Sequence, residues 1–561
     1  MLYERLPLKT IGTASVLLTC VMVYWDIFMT RRKFTNYDDP VNYEQNERVK
    51  RVSAENLRWI FFDGALVGVY EPVSNFIKMI LLSNISQEWH ATLIVRLSLM
   101  LHLTNVWILV RILAKMNILA SNNLETKNLS FALFLATIIW SMHPLRVENV
   151  AWASCLPHML ANMFGMLCVN AHLNRIVLDS KRHFDSIWFS TIMYALSVFS
   201  KTSTIALPGF LFILSVQRYG KVCKISTVKL MLSMGFVSCI AFLQATRAKS
   251  QDYIQSGSLF DHLTPLSGIT YAFSAFAFYV SKSVWPVDIT TWYPIPQWVV
   301  VATTREIFFE VFSFSTVGRG VLFGIFCLML LLVATLSKKY RNANALLVSY
   351  ILLLVPTLGV ISHHSSALAA DRYVYLPSAF VFAPCTMSML RRFVFPAVCF
   401  RSKWSKFILC TLFVMALSIS SQGLVRDWSS SVRLWKRGTE INFDDAMPFS
   451  SLGNAYNQEI RDVEASRAYR RALELNPSVA VANHGLASVL FRQGLFEEAA
   501  TFYLNAANLR SSLFLSCMIN AAISYERIGR VQDAKRIYEN VLKTYPTSQH
   551  ALNGIFRINN I

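Results

Sequence analysis

The chain has 561 residues, of which 54% are hydrophobic and only 15% are charged. A soluble chain of this length usually forms several domains and carries about 25% charged residues. The charges are too few to cover that much water-facing surface, and the mean hydropathy of +0.40 agrees with this. The composition therefore excludes disordered, collagen-like and coiled-coil proteins and favours a polytopic membrane protein.

The net charge of +20 would suggest a nucleic-acid partner in a soluble protein. Much of the positive charge stands in short loops between apolar runs, near residues 175–186, 218–227, 338–342 and 391–406. Such loops are typical of the cytoplasmic side of membrane proteins. Since no DNA- or RNA-binding motif accompanies the charge, we expect membrane lipid and no nucleic acid as a partner. The ten cysteines show no metal-ligand spacing.

The apolar runs predict the membrane-spanning segments. The first run, Ile11 to Met29, has no cleavage site and predicts a retained signal anchor. A polar stretch, residues 30–90, follows it. In total we predict about 11–12 spans, with one run, 228–246 or 267–284, lying re-entrant or along the interface. The later runs cover residues 91–114, 129–144, 153–173, 187–200, 203–217, 228–246, 267–284, 319–337, 343–361, 372–390 and 406–423.

The basic loops also predict orientation. If these loops are cytoplasmic, four parts of the chain lie on the opposite side of the membrane: residues 145–152, 285–318, 362–371 and the chain after 424. We expect the polar stretch 30–90 on that opposite side as well, where Asn84-Ile85-Ser86 would be a usable glycosylation sequon. Arg31, Arg32 and Lys33 argue against this placement, because they follow the first span directly.

A repeat with a period of 34–35 residues begins after residue 424, where the hydropathy drops. Its spacing predicts tetratricopeptide repeats rather than generic helical hairpins: small residues let two antiparallel helices approach, aromatics fill the gap, and proline closes the second helix. We predict a membrane domain at 1–423, a connector at 424–445 and three repeats at 446–561. The recurring residues are Gly453, Tyr456, Ala465, Tyr469, Ala472 and Pro477; Ala487, Gly494, Ala499, Tyr503 and Ala506; Ala522, Tyr525, Gly529, Ala534, Tyr538 and Pro546.

Two adjacent acids, Asp38 and Asp39, stand shortly beyond the first apolar run. Acids at a membrane surface are costly unless they are solvated, paired or used. One carboxylate could take the proton from an attacking hydroxyl while the other positions that hydroxyl or a metal ion. The alternative is an ordinary loop turn before Pro40.

A polar segment between two apolar runs contains His143, Arg146 and Glu148. Charged residues between spans normally face a cavity or each other. Arg146 could therefore pair with Glu148, or its guanidinium could bind a phosphate.

Two lysines, Lys201 and Lys282, interrupt other apolar runs, where an ammonium group is costly without an anionic partner. Asp371 and Arg372 stand at a further span boundary and fit either a structural polar network or ligand binding. Together these cations and the carboxylate pair would form a site for a transfer reaction. In that reaction a lipid-linked phosphate is the leaving group and a hydroxyl is the nucleophile. The sequence has no Walker loop and no Rossmann, HExxH or GxSxG motif, which disfavours a nucleotide-driven pump.

The order and spacing of several motifs resemble a known family over almost the whole chain. The chain resembles the transmembrane and tetratricopeptide-repeat-containing O-mannosyltransferases of the C-type membrane glycosyltransferase superfamily. The matching segments are Tyr37-Asp38-Asp39-Pro40, Tyr70-Glu71-Pro72-Val73-Ser74, His143 to Trp152, Ser200-Lys201-Thr202, Tyr279 to Pro286, Trp292-Tyr293-Pro294, Ala370 to Pro377, Arg426 to Ser429 and Leu434-Trp435.

The resemblance implies an all-α, multi-pass enzyme of the endoplasmic reticulum membrane that transfers mannose from dolichyl-phosphate-mannose to Ser or Thr hydroxyls of secretory-pathway proteins. Its acidic pair and repeats would be lumenal, and the repeats would bind the acceptor polypeptide. By this analogy Asp38 or Asp39 is the general base, and we infer Arg146, Lys201 and Arg372 as groups that bind the donor phosphate. No cofactor is firmly expected, although a divalent metal is optional in the superfamily. The supporting residues would be His143, Glu148, Lys282 and Asp371.

The sequence departs from the family pattern in two respects. Many relatives have an Arg-x-Asp pair where this chain has Leu156-Pro157-His158, and eukaryotic relatives often carry more than three repeats. Two other functions are alternatives: a non-catalytic membrane scaffold that recruits partners through its repeats, and a transporter with an appended binding module. The intact pair Asp38 and Asp39 favours the enzyme over the scaffold. The transporter is disfavoured because the spans show no internal repeat. In a bacterium the donor would instead be an undecaprenyl-linked sugar.

Overall fold

The computed structural model describes most of the chain, and the described part is mostly α-helical, as predicted. It forms two compact units, Met1–Ser429 and Ser430–Ile561, and the division falls within the predicted connector. The predicted run at 319–337 lies outside the described residues. These are residues 10–63, 65–66, 68–121, 129–180, 186–220, 224–252, 265–296, 329, 341–359, 367–394 and 400–559.

The first unit contains sixteen described α-helices and one short hairpin. The hairpin pairs β1 (Ala65–Leu66) with β2 (Val69–Tyr70) in antiparallel register. The helices are α1 Thr10–Val23, α2 Trp25–Met29, α3 Ala54–Arg58, α4 Pro72–Leu82, α5 His90–Ser121, α6 Leu129–Ser141, α7 Val147–Ala151, α8 Leu156–Leu178, α9 Ile187–Ser200, α10 Leu207–Tyr219, α11 Ile225–Asp252, α12 Pro265–Val284, α13 Arg341–Leu354, α14 Tyr375–Phe380, α15 Phe382–Met389 and α16 Phe400–Asp427.

Three described helices are long and apolar enough to cross a membrane: Gln87–Leu119, Ile225–Ala248 and Phe407–Asp427. Two bent pairs, broken by 61° after Ser141 and by 50° after Phe380, would raise the number to five. The described residues thus contain fewer span-length helices than predicted, because several apolar runs form helices of only 10–17 residues. The runs at 228–246 and 267–284 both lie in unbroken helices, so the sharp bends occur elsewhere.

Two of the span-length helices expose much of their apolar surface. Only 22% of the apolar window is buried in Ile225–Ala248, and the same fraction is buried in Phe407–Asp427. Leu232 and Phe236 are each 70% exposed, and Leu409 is 68% exposed. Exposed apolar surface of this extent marks a site of contact with a membrane or another protein.

Hydrogen bonds place several basic side chains at one end of the first unit. Near the C-terminal end of α5, Arg391 Nη1 donates to Asn117 Oδ1 at 2.6 Å. Near the C-terminal end of α8, Arg218 Nε donates to the Ile176 carbonyl at 3.0 Å. The N-terminal ends of α5 and α8 adjoin the polar stretch 30–90, since Arg31 pairs with Glu88 and Ser154 bonds to Asp39. The polar stretch and these basic residues therefore lie at opposite ends.

The second unit is a stack of helix pairs, which confirms the predicted repeats. Tyr469 packs against Gly453 of its own pair and against Gly485 of the next pair. Pro477 and Pro546 each follow the end of a second helix by two residues, as predicted. The helices are α17 Ser431–Ile441, α18 Ala446–Gln458, α19 Asp462–Leu475, α20 Ala480–Arg492, α21 Phe496–Leu509, α22 Ser511–Arg527, α23 Val531–Thr544 and α24 Gln549–Asn559.

Candidate functional site

The two adjacent acids have opposite environments. Asp39 is only 1% exposed and stands at the start of the π-helical turn Pro40–Glu44. Its Oδ2 accepts hydrogen bonds from the backbone N and the hydroxyl of Thr35, at 2.8 and 2.9 Å, and its Oδ1 accepts one from Ser154 N at 3.0 Å. Burial raises the pKa of Asp39 to about 6, although these hydrogen bonds oppose the rise. Asp39 therefore ties the polar stretch to the segment before α8.

Asp38, in contrast, is exposed. Enough protein still surrounds the carboxyl group for desolvation to raise its pKa, while the positive charges of Arg372 and Lys201 oppose the rise. These two cations come from segments far away along the chain. The structure thus brings together three of the predicted site residues, the acidic residue Asp38 and the positively charged residues Lys201 and Arg372.

Lys201 has the anionic partner that we expected for an ammonium group within an apolar run. It lies in the turn between α9 and the 3₁₀ segment Thr202–Ala206, and its Nζ forms an ion pair with Glu71 Oε1. The Lys201 side chain is 20% exposed and that of Glu71 is 9% exposed. The hydroxyl of Ser74, on α4, also donates to the Ser200 carbonyl at 3.0 Å, which fastens the start of α4 to the end of α9.

Arg372 is held in a similar way. Its Nη1 donates to Glu148 Oε1 at 2.7 Å, and its backbone N donates to Glu148 Oε2 at 2.6 Å. The hypothesis that Glu148 pairs with Arg146 is therefore wrong. The Arg372 side chain is 16% exposed, so part of this side chain remains accessible. We call Asp38, Lys201 and Arg372, with their partners Glu71 and Glu148, the charged cluster.

Arg146 lies inside the first unit and is 1% exposed. Its guanidinium carbon is 5.3 Å from the ring centres of both Trp140 and Tyr375, and its Nη1 donates to the Val374 carbonyl at 3.3 Å. His143, at the start of the same turn, accepts a hydrogen bond at Nδ1 from the backbone N of Leu145. Both residues thus support the turns around Arg372 and Glu148 from within.

Asp371 and Lys282 also bond to protein groups. Asp371 Oδ1 accepts a hydrogen bond from the Tyr293 hydroxyl at 2.9 Å. Lys282 Nζ donates to the Val287 carbonyl at 2.6 Å and so holds the loop that follows α12. These contacts fit the structural alternative for Asp371, and they connect Tyr293 to the turn that carries Arg372.

Aromatic rings border the charged cluster. Tyr37 stacks on Trp152 with ring centres 4.9 Å apart, and Trp152 stacks on Trp428 at 5.3 Å. The guanidinium of Arg372 lies 5.4 Å from the Trp152 ring centre and 4.9 Å from that of Tyr373. These rings restrict the side chain of Arg372 and hold it at Trp152, which stacks on the residue preceding Asp38.

Several residues of this site were not predicted from the sequence. Glu71 was part of a matching motif but had no assigned role, and Lys78 and Ser154 were not singled out. Lys78 is 1% exposed, and its Nζ lies 5.1 Å from the Tyr43 ring centre and 3.3 Å from an Asn75 oxygen. A lysine within a mostly apolar helix was the available signal for it. Among the described residues, no group of three or more His, Cys, Asp or Glu side chains could hold a metal ion.

Comparison with known proteins identifies the C-terminal part of the chain. Tetratricopeptide repeat families match residues 464–512 and 516–548. A stretch of 83 residues is 30% identical to the peroxisomal targeting signal receptor of Saccharomyces cerevisiae, and it covers 15% of this chain and 14% of that receptor. This chain therefore spans only a small part of that relative's length. Tetratricopeptide repeats bind other proteins in extended surfaces of this kind. The second unit is a tetratricopeptide-repeat domain, which indicates a protein partner.

Proposed function

We propose that the protein is a multi-pass glycosyltransferase of the endoplasmic reticulum membrane. It would transfer mannose from dolichyl-phosphate-mannose to Ser or Thr hydroxyls of secretory-pathway proteins, on the lumenal side. The observation that carries the proposal is the charged cluster, in which an exposed carboxylate, Asp38, lies close enough to two partly exposed cations, Lys201 and Arg372, for their charges to act on it.

The proposed chemistry assigns one role to each of these groups. Asp38 accepts the proton of the acceptor hydroxyl as its oxygen bonds to C1 of the mannose. The bond from C1 to the phosphate oxygen breaks, and its electron pair leaves with dolichyl phosphate. Lys201 and Arg372 offset the charge that develops on that phosphate. Their ion pairs with Glu71 and Glu148 hold both cations in position before the donor binds.

Arg146 and Asp39, which the sequence predicted as a phosphate ligand and a candidate base, have no direct part in the proposed chemistry. Arg146 is left out as a direct phosphate ligand because it is 1% exposed. Asp39 is left out as the base because Thr35 and Ser154 donate hydrogen bonds to both of its oxygens.

The membrane location is supported by the exposed apolar surfaces of Ile225–Ala248 and Phe407–Asp427. The lumenal orientation is supported by the position of the basic residues at the opposite end.

The test is transfer of labelled mannose from dolichyl-phosphate-mannose to a panel of secretory domains by the purified full-length protein. We expect Asp38→Asn to lower the rate at least about 100-fold, the usual contribution of a general base. The matched control is Asp63→Asn, which makes the same change at another exposed aspartate of the polar stretch and should leave the rate unchanged. Equal rates for wild type and Asp38→Asn would refute the assignment of the base.

A second function, a non-catalytic membrane scaffold, is favoured by one observation: the repeats are the part of the chain with a matched family. A scaffold would transfer no mannose with any donor or acceptor of the panel. It would still retain a bound partner protein, and it would do so equally well with Asp38→Asn. That combination would replace the enzyme proposal with the scaffold.

A further inference from the structure

Two polar side chains of α8 are buried without a hydrogen-bond partner. His158 and Asn162 are each 5% exposed. The Nδ2 atom of Asn162 has no partner, and no described residue bonds to a ring nitrogen of His158. An unpaired buried polar group is costly, because it has lost its bonds to water and gained none in the protein. We call these two residues the α8 pair and consider them candidates for binding a ligand.

The α8 pair lies on one face of the helix, since residues four positions apart are neighbours on a helix surface. The ring centre of His158 is 5.6 Å from that of Tyr373. Three residues after Asn162, on the same face, a Cβ atom at Gly165 would lie 3.6 Å from Leu376. Asn162 stands between these two contacts. The α8 pair therefore faces the segment that follows Arg372.

The α8 pair begins at the charged cluster. The Tyr373 ring, which His158 contacts, also contacts Arg372, whose guanidinium carbon is 4.9 Å from the ring centre. The positive charges of Lys201 and Arg372 act on His158, just as they act on Asp38. When a phosphate binds Lys201 and Arg372, the group attached to that phosphate is therefore within reach of the α8 pair.

The residue types of the α8 pair match the hydroxyl groups of a sugar. The carboxamide of Asn162 has two N–H donors and an acceptor oxygen, and an uncharged imidazole has one donor and one acceptor. The two cations beside His158 disfavour a third positive charge there. A sugar hydroxyl both donates and accepts hydrogen bonds, whereas phosphate oxygens only accept and a lipid chain does neither. Of the three parts of a lipid-linked sugar donor, the α8 pair fits the sugar best.

We propose that His158 and Asn162 bind hydroxyl groups of the donor sugar and so contribute to the selection of that sugar. The inference rests on the proposed function, because a donor phosphate at Lys201 and Arg372 is what brings the sugar to the α8 pair. Binding of the sugar supplies hydrogen-bond partners to both buried groups. The α8 pair takes no part in proton transfer, which remains with Asp38.

The test compares the binding of two labelled lipids, dolichyl-phosphate-mannose and dolichyl phosphate, to the purified full-length protein in detergent. The variants are His158→Phe, which keeps a ring beside Tyr373, and Asn162→Leu, which keeps a side chain of similar size. We expect each variant to bind dolichyl-phosphate-mannose about three- to tenfold more weakly than wild type, as loss of one hydrogen bond does. Both variants should bind dolichyl phosphate like wild type.

Two controls separate sugar binding from support of the fold. His172→Phe makes the same change at a fully buried histidine of α8 that bonds to Ser215 at 3.0 Å, and it should not change the ratio of the two affinities. Asn162→Leu removes an unpaired buried polar group, so the midpoint of thermal unfolding should not fall. A residue that only supports the fold would lower that midpoint when it is replaced.

Two outcomes would overturn the inference about the sugar alone. Equal losses for both lipids would mean that the α8 pair acts on the phosphate or on the fold, and no loss for either lipid would mean that water satisfies these groups. A wild type that binds neither lipid would refute the proposed donor, and this inference with it. A selective loss of mannose-lipid binding in a protein that transfers no mannose would support the sugar site and refute the enzyme.

Discussion

The charged cluster is held together by contacts between residues far apart along the chain, whereas the repeats are held together by contacts between near neighbours. The ion pair of Lys201 and Glu71 joins residues 130 positions apart, and that of Arg372 and Glu148 joins residues 224 apart. In the repeats, Tyr469 contacts Gly453 and Gly485, each only 16 residues away. The ion pairs of the cluster are also largely buried, whereas a pair such as Arg470 and Glu498 in the repeats is about half exposed. A single charge change should therefore disturb the cluster strongly, whereas most surface charges of the repeats can change with little effect.

The largest expected effect is that of Glu148→Gln. Glu148 is 5% exposed, and its loss leaves Arg372 without its carboxylate partner. Breaking a buried ion pair from one side costs about 3–5 kcal/mol. Thermal unfolding of the full-length protein in detergent measures the loss.

The control for Glu148→Gln is Glu88→Gln, which removes the exposed partner of Arg31. Exposed pairs contribute little, so we expect no measurable change in the unfolding midpoint. Equal destabilisation by the two variants would mean that burial does not distinguish the cluster from the surface.

The next effect is pH dependence at Asp39. Its folded pKa of about 6 exceeds the ordinary value of 3.8. The folded state therefore binds more protons between these values, and the stability that Asp39 contributes falls as the pH rises from 4 to 6. We expect wild type to lose about 2 kcal/mol of unfolding free energy relative to Asp39→Asn over this interval. Unfolding measured at several pH values checks this, and parallel pH profiles of the two proteins would contradict it.

In the repeats, we expect substitution of a closely packed glycine to lower the stability more than loss of a surface charge. A Cβ atom at Gly485 would overlap the ring of Tyr469, which is fully buried and whose hydroxyl donates to Asn454 at 2.7 Å. We expect Gly485→Ala to destabilise the second unit by about 1–3 kcal/mol, as overpacking does. Hydrogen exchange of the repeats in the full-length protein measures this.

The control is Gly423→Ala in the first unit, measured by hydrogen exchange of α16, because Gly423 lies within α16 and a Cβ there meets nothing within 4 Å. Alanine is favoured over glycine in a helix, so this variant should be neutral or more stable by up to about 1 kcal/mol. A similar loss in both variants would show that close packing against Tyr469 is not the cause.

The smallest expected effect is that of Glu498→Gln, which removes an ion pair between consecutive repeats. Arg470 and Glu498 are 3.5 Å apart, and their side chains are about half exposed. We expect a change below about 1 kcal/mol in the stability of the repeats. A larger loss, measured by the same hydrogen exchange, would mean that surface charges as well as packing hold the stack together.

The sequence predicted the candidate residues of the charged cluster better than it predicted their partners. Asp38, Lys201 and Arg372 were all named from the cost of placing charge near a membrane. Their partners could not be assigned, because nothing in the local pattern connects Lys201 to Glu71 or Arg372 to Glu148. The nearer alternative, a pair between Arg146 and Glu148, failed because the turn at Arg146 directs its guanidinium inward, to the Val374 carbonyl.

The sequence by itself determined the helical class and the repeats, because the small residues and tyrosines that pack the repeats recur every 34–35 residues and meet close neighbours. Only the tertiary structure decided which of two adjacent acids is accessible. Asp38 and Asp39 have the same side chain and are adjacent in the sequence, but Asp39 is buried and accepts a hydrogen bond from Ser154, 115 residues away, whereas Asp38 is exposed. Contacts of that range depend on how the helices pack, and no local pattern of residues encodes them.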